Sequence, residues 1–195
     1  MIGIINYGAG NIFSLQSALD RLGLSYKIIE SVSDFDSCDR YIIPGVGHAA
    51  PAMKKLNSTG LVPLIKQTNK PVLGICLGMQ LLASFSEEGN TDLLNLISMK
   101  VLKFNDSKLK IPHIGWNKVN PTEKETIFKN IPDESYFYFV HSYYLQHIPA
   151  YTLARTEYGL TYASSIKKNN YFGVQFHPEK SGKVGELLLK NFSEL

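Results

Sequence analysis

The order of apolar segments predicts an α/β fold. Three observations carry it. Short runs are apolar throughout, as strands buried on both faces are. The stretches between them carry apolar residues at helical spacing, and the two patterns alternate through the first half, as in βαβ units with helices on both faces of a parallel sheet. Met1-Ile2-Gly3-Ile4-Ile5 reads as the first strand. Ile12, Leu15, Leu19 and Leu22 form one face of a helix that Gly23 ends. Tyr26–Ile29 and Tyr41–Ile43 are the next strands. A helix follows from His48, with Pro51 early, where proline is tolerated. Val62–Lys66 is a further helix and Val72–Ile75 a further strand. The second half is richer in strand signals, at Val101–Phe104, Tyr136–Val140, Tyr151–Arg155, Tyr162–Ile166 and Tyr171–Phe176, and Val184–Phe192 is an amphipathic closing helix. No repeat, low-complexity tract or linker interrupts the chain, so residues 1–195 are expected to form a single domain.

Composition narrows the function classes. With 44% apolar and 19% charged residues, the chain is an ordinary globular sequence. A net charge of +3 without a basic cluster argues against a nucleic-acid partner. No run nears the ~18 apolar residues of a membrane span, and Met1 leads directly into a strand rather than a signal peptide. The two cysteines, Cys38 and Cys76, make no disulfide framework. A cytoplasmic location, where thiols stay reduced, is expected. Gly8-Ala9-Gly10 is half of a dinucleotide fingerprint, but Phe13 stands at the third small position and no Walker A pattern occurs, so no nucleotide cofactor is expected. His113, His141 and His147 lack metal-ligand spacing and are read as structural or surface residues, and no metal is expected.

The most informative stretch is Gly74-Ile75-Cys76-Leu77-Gly78. A strand leads into it and a helical pattern, Met79–Ala83, leads away, which is the layout of a nucleophile elbow with sulfur in place of the serine oxygen. Glycines flank a tight turn where a Cβ would clash. The helix N-terminus behind the sulfur favours its thiolate form. A second element lies near the other end, His177-Pro178-Glu179, after the strand Tyr171–Phe176. In an extended chain residues two apart share a side, so Glu179 can orient the His177 imidazole as a triad's third member does. Pro44-Gly45-Val46-Gly47, just past the third strand, is a loop whose backbone N–H groups could face a developing oxyanion.

Gly74–Gln80 together with Gly173-Val174-Gln175-Phe176-His177-Pro178-Glu179 resembles the class I (triad) glutamine amidotransferases. Within that family, Asn6–Asn11, Ile43–Gly47, Ser86–Gly89, Pro112-His113-Ile114-Gly115-Trp116-Asn117, Val140–Tyr144 and His177–Ser181 are similar to the glutaminase subunits of imidazole glycerol phosphate synthases. The resemblance implies a central mixed, mostly parallel sheet flanked by helices, and hydrolysis of glutamine to glutamate and ammonia by Cys76, His177 and Glu179. It implies an oxyanion hole from the N–H of Leu77 and that of Val46 or Gly47, and glutamine contacts from Gly45, Gln80, Glu88, Ser142 and Tyr143. It also implies a heterodimer with a (β/α)₈-barrel synthase/cyclase subunit in histidine biosynthesis, docked through Asn11, Trp116, Tyr138 and Lys180. The sequence departs from the pattern at His48-Ala49-Ala50, where a small residue and then an aromatic are expected, and at Leu93–Ser98, which lacks the expected glycines. A paralogous glutaminase feeding ammonia to bacterial surface-sugar biosynthesis shares the same chemistry. A lone thiol hydrolase or an inactive partner-binding scaffold are the readings from other classes.

Overall fold

The structure, a computed structural model, describes residues 1–122 and 126–195. Its first half runs β1 (Ile2–Ile5), α1 (Ile12–Arg21), β2 (Tyr26–Ile29), the single turn α2 (Val32–Phe35), β3 (Arg40–Gly45), α3 (Ala49–Ser58), α4 (Val62–Gln67), β4 (Val72–Cys76) and α5 (Leu77–Leu81). Its second half runs β5 (Phe85–Ser86), β6 (Thr91–Asp92), β7 (Lys100–Lys103), β8 (His113–Pro121), β9 (Ser135–His141), β10 (Tyr143–Gln146), β11 (Thr152–Glu157), β12 (Thr161–Lys168) and β13 (Tyr171–Val174). A 3₁₀ turn (Pro178–Lys180) and α6 (Gly182–Ser193) follow.

The main sheet has the order β2-β1-β3-β4-β13-β12-β10-β7-β5-β6. From β2 to β13 all neighbours are parallel. Beyond β13 they are antiparallel, except that β5 lies parallel to β7. The sheet is therefore mixed, with the parallel half contributed mainly by the first half of the chain. Off this path, β11 pairs with β12 and β8, and β8 pairs with β9. The last strand in sequence, β13, is inserted at the centre beside β4, with Val174 opposite Ile75. That insertion places the carboxyl ends of β3, β4 and β13 side by side.

Each face of the sheet is covered by helices whose apolar stripes the sequence spacing had marked. Leu15, Leu19, Leu188, Leu189 and Phe192 of α1 and α6 are buried on one face with Ile4, Ile42 and Leu73. Met53, Leu56, Ile65 and Leu81 of α3, α4 and α5 are buried on the other with Ile5, Ile43 and Val72. Four strands lie outside the expected set, among them the two-residue strands β5 and β6, too short to show a period. β8 mixes Gly, Asn and Lys into a half-exposed hairpin partner, so it lacks an apolar run. β10 is separated from β9 by Ser142 alone, so the two read as one segment. Gly23, expected to end α1, sits at φ +65° just past it, the left-handed position glycine fills at helix ends.

Candidate active site

Cys76 is the last residue of β4, and α5 begins at the next residue. Its backbone takes φ 53°, ψ −109°, a strained conformation for a residue with a side chain. The strain thus sits on the expected nucleophile itself. The flanking glycines serve another purpose, close approach of main chains. A Cβ on Gly78 would lie 1.8 Å from Ile43 O, one on Gly74 2.5 Å from Gly78 O, and one on Gly45 2.6 Å from Gly78 N. These three glycines lock β3, β4 and α5 together. Gly45 pairs with Cys76 across β3 and β4 and lines the small cleft that also holds His177 and Glu179.

His177 lies three residues beyond β13. Its N–H donates to Tyr138 O at 2.9 Å, and Ser181 Oγ accepts from Tyr138 N at 3.0 Å and donates to His177 O at 2.6 Å. Strand β9 therefore clamps the main chain on both sides of the turn. His177 Nδ1 and Glu179 Oε1 are 2.8 Å apart, with side chains 2% and 4% exposed. The pairing comes from the 3₁₀ turn at Pro178–Lys180, not from an extended strand as the two-residue spacing alone suggested. Nε2, the nitrogen left for Cys76, is buried without a formed hydrogen bond, as is Glu179 Oε2. Burial disfavours the imidazolium, but the charge and hydrogen-bonding capacity of the Cys76 sulfur, then Glu179, outweigh it and raise His177 to about 10.

These groups open into a cavity of about 260 Å³ lined by Cys76, Leu77, Gln80, Glu88, Ser142 and Tyr143, among others. The Glu88 carboxylate is already engaged: Oε2 accepts from Ala49 N at 2.7 Å, at the start of α3, and Oε1 lies 3.0 Å from His48 Nδ1. His48, the residue that departs from the family pattern, is thus a cavity-wall partner of Glu88. Both Gln80 amide hydrogens point at acceptors, Tyr143 O at 3.1 Å and Gln175 Oε1 at 3.0 Å. Only its carbonyl oxygen is left to offer a ligand. Gln175 Nε2 in turn lies 3.6 Å from Cys76 Sγ. Gln175 was within a quoted motif but had no assigned role, because nothing in its local sequence says that its side chain turns toward the sulfur.

The expected oxyanion donors divide. Leu77 is the first residue of α5, where a helix has no internal acceptor for its N–H. Val46 N–H donates to Ala9 O at 3.1 Å, so this donor is engaged away from the sulfur. Gly47, at φ +100° with open space around it, lines the cavity. The Gly8-Ala9-Gly10 loop, half of a nucleotide fingerprint, here serves to hold Val46. Tyr7 OH steadies the same loop by donating to Pro44 O at 2.8 Å, and its burial and then the Cys76 charge raise its pKa.

None of the four expected docking residues lines the cavity. Asn11 caps α1, its side chain accepting from Ser14 N at 3.3 Å, and lies in the cleft that also holds His177 and Glu179. Lys180 is exposed at the end of the 3₁₀ turn. Trp116 and Tyr138 are cross-strand partners on the outer face of the β8–β9 hairpin, with rings 6.0 Å apart and edge to face. Trp116 is 54% exposed, so it is not a core residue. His113 and His141 are buried and joined, Nδ1 to Nε2, at 3.2 Å, and burial lowers them to about 4 and about 3. His147 bonds Thr152 Oγ1 at 2.9 Å. No helix of the described residues is long and apolar enough to cross a membrane.

The family model for glutamine amidotransferase class-I matches residues 3–194. The imidazole glycerol phosphate synthase subunit HisH of Pasteurella multocida is 48% identical over 193 residues, covering 99% of this chain and 97% of the relative. The subunit of the same name from Methanosarcina barkeri is 46% identical over 198 residues, covering 100% and 98%. Among solved structures, PurLQS from Thermotoga maritima aligns with a TM-score of 0.74 at 17% identity, covering 99% of this chain and 97% of that one, a likeness of fold. With the model matching almost end to end, this chain belongs to the class-I glutamine amidotransferase family.

Proposed function

We propose that this chain is the glutaminase subunit of an imidazole glycerol phosphate synthase. It would hydrolyse glutamine to glutamate and ammonia and pass the ammonia to a (β/α)₈-barrel cyclase subunit. The observation that carries the reading is the meeting of Cys76, His177 and Glu179 at one sheet edge beside a cavity, in a chain whose relatives bear the HisH name.

The geometry supports a two-stage mechanism. The Cys76 thiolate attacks the γ-amide carbon and the carbonyl becomes an oxyanion beside Leu77 N–H. His177, held as imidazolium, gives its proton to the nitrogen, and ammonia leaves with the electron pair of the broken C–N bond. A water then attacks the thioester with His177 as base, releasing glutamate and the thiolate. Glu179 holds the tautomer throughout. Glu88, Gln80, Ser142 and Tyr143, which line the cavity, would receive the α-amino and α-carboxylate ends of glutamine.

The bond from Val46 N–H to Ala9 O implies that the free subunit is held with one oxyanion donor withdrawn. Each such donor contributes about 3 kcal/mol to the transition state. Turning that peptide inward is the step we assign to partner docking. Ammonia must also reach the second site unprotonated, which favours a dry path across the interface.

Replacing Cys76 by Ala tests the reading. With the cyclase partner and its acceptor nucleotide, synthesis from glutamine is expected to vanish, while synthesis from added ammonium salt persists at the wild-type rate. Loss of both, or retention of both, would overturn it. Amidination of a sugar acceptor in place of the nucleotide would move the chain to the surface-sugar paralogues.

A further inference from the structure

We propose that Gln175 is a catalytic residue, a hydrogen-bond donor to the Cys76 sulfur that stabilises its thiolate. The inference rests on the glutaminase reading for what the sulfur does, and on the hydrogen-bond network for the donor itself.

The orientation of a glutamine side chain is ordinarily ambiguous, because its oxygen and nitrogen are nearly alike. Here a main-chain carbonyl removes the ambiguity. Tyr143 O can only accept, and the Gln80 side chain meets it at 3.1 Å, so the Gln80 atom there is Nε2. The same Nε2 lies 3.0 Å from Gln175, which must therefore present Oε1 to it. That leaves Gln175 Nε2 facing Cys76 Sγ at 3.6 Å, within reach of a sulfur acceptor. Reversing Gln175 would set two N–H groups against each other and a carbonyl oxygen against the sulfur. A second donor fixes the anchor: His141 lies with Nδ1 2.8 Å from Tyr143 O, and so must carry its proton there.

Burial makes the contact matter. Gln175 has no solvent exposure and Gln80 is 5% exposed, so neither amide can turn to water. The sulfur also lies 3.8 Å from Val140 O, an acceptor that suits the thiol and opposes the thiolate. Gln175 supplies the opposing preference. A hydrogen bond to a charged group is roughly twice as strong as one between neutral groups, so ionisation of the sulfur strengthens this contact. Gln80 thus bridges Tyr143 O and Gln175 Oε1 with its two N–H groups and holds Gln175 in place.

The test reads the ionisation of the sulfur directly. The rate of Cys76 alkylation by iodoacetamide is followed against pH in the full chain, by the mass of the peptide containing Cys76, so that Cys38 does not interfere. Two variants are compared, Gln175→Leu and the same-shape Gln175→Glu, which keeps an acceptor for Gln80 and loses the donor. Unfolding midpoints report whether each is folded. The expected result is a profile midpoint raised by about one pH unit in Gln175→Leu and by more in Gln175→Glu, where a carboxylate faces the thiolate, with alkylation at high pH preserved. Midpoints that coincide with wild type in the folded variants would overturn the proposal. The glutaminase reading fails separately, if Cys76→Ala keeps glutamine-dependent synthesis.

Discussion

At the scale of single residues, the proposed triad could be named from the sequence because its chemistry demands rare residue types in short motifs. An elbow cysteine and a His-x-Glu turn identify themselves without coordinates. What the sequence withheld was direction. Nothing in Val46 says that its N–H answers Ala9 O, and nothing in Gln175 says that its amide faces the sulfur. Both depend on loops and strands far apart in sequence. The charge state of His177 is likewise a property of the assembled site. Its pKa is raised from 6.5 to about 10, so its protonated form contributes stability that is complete below about pH 6.5 and is lost as pH rises through about 10. NMR titration of the imidazole should find His177 still protonated at pH 8 in the wild type. In Cys76→Ala, where the leading cause of the rise is gone and burial still opposes the charge, its titration should move to lower pH. An unchanged titration would remove the sulfur as the cause.

At the scale of elements, the sequence marked the helices and the buried strands well, because a stripe of leucines or an all-apolar run has one reading. It marked the exposed hairpin poorly, since β8 is built from Gly, Asn and Lys and takes its strand character from pairing with β9. The elbow shows how element packing, more than local turn geometry, selects glycine. Gly78 needs no Cβ because α5 lies directly on β3, and the oxygen it would strike is main chain that cannot rotate away. Gly78→Ala is therefore expected to lower stability by more than about 3 kcal/mol. Gly23→Ala is the contrast. No atom lies within 4 Å of its added Cβ, so only the left-handed backbone (φ +65°) opposes it, and the loss should be about 1 kcal/mol. Chemical denaturation of the two variants measures the difference. Equal losses would mean that conformation rather than contact dictates the glycine in the elbow.

At the scale of the whole molecule, the insertion of β13 beside β4 is what brings residues a hundred positions apart to one edge, and no local pattern announces that strand order. The same arrangement sets the outer hairpin against the catalytic turn. Tyr138 O accepts from His177 N, while the Tyr138 ring meets Trp116 on the opposite, outward face. Ile114, Trp116 and Tyr136 are 58%, 54% and 51% exposed along that face, an exposed apolar band. A partner seated there would touch β9, the strand that holds His177. Trp116→Ala separates docking from chemistry. Trp116 lies on the exposed face, so its loss should leave the unfolding midpoint nearly unchanged. As a buried aromatic anchor in the complex it would be worth about 2 kcal/mol, or about a 30-fold weakening of partner affinity. Titrating the cyclase subunit into a glutaminase assay should then show half-activation at about 30-fold higher partner concentration, with the same rate at saturation because no group at the sulfur has changed. A curve that overlays the wild type would place the docking surface elsewhere. A lowered plateau at unshifted concentration would make Trp116 part of the switch at Val46 rather than of the grip on the partner.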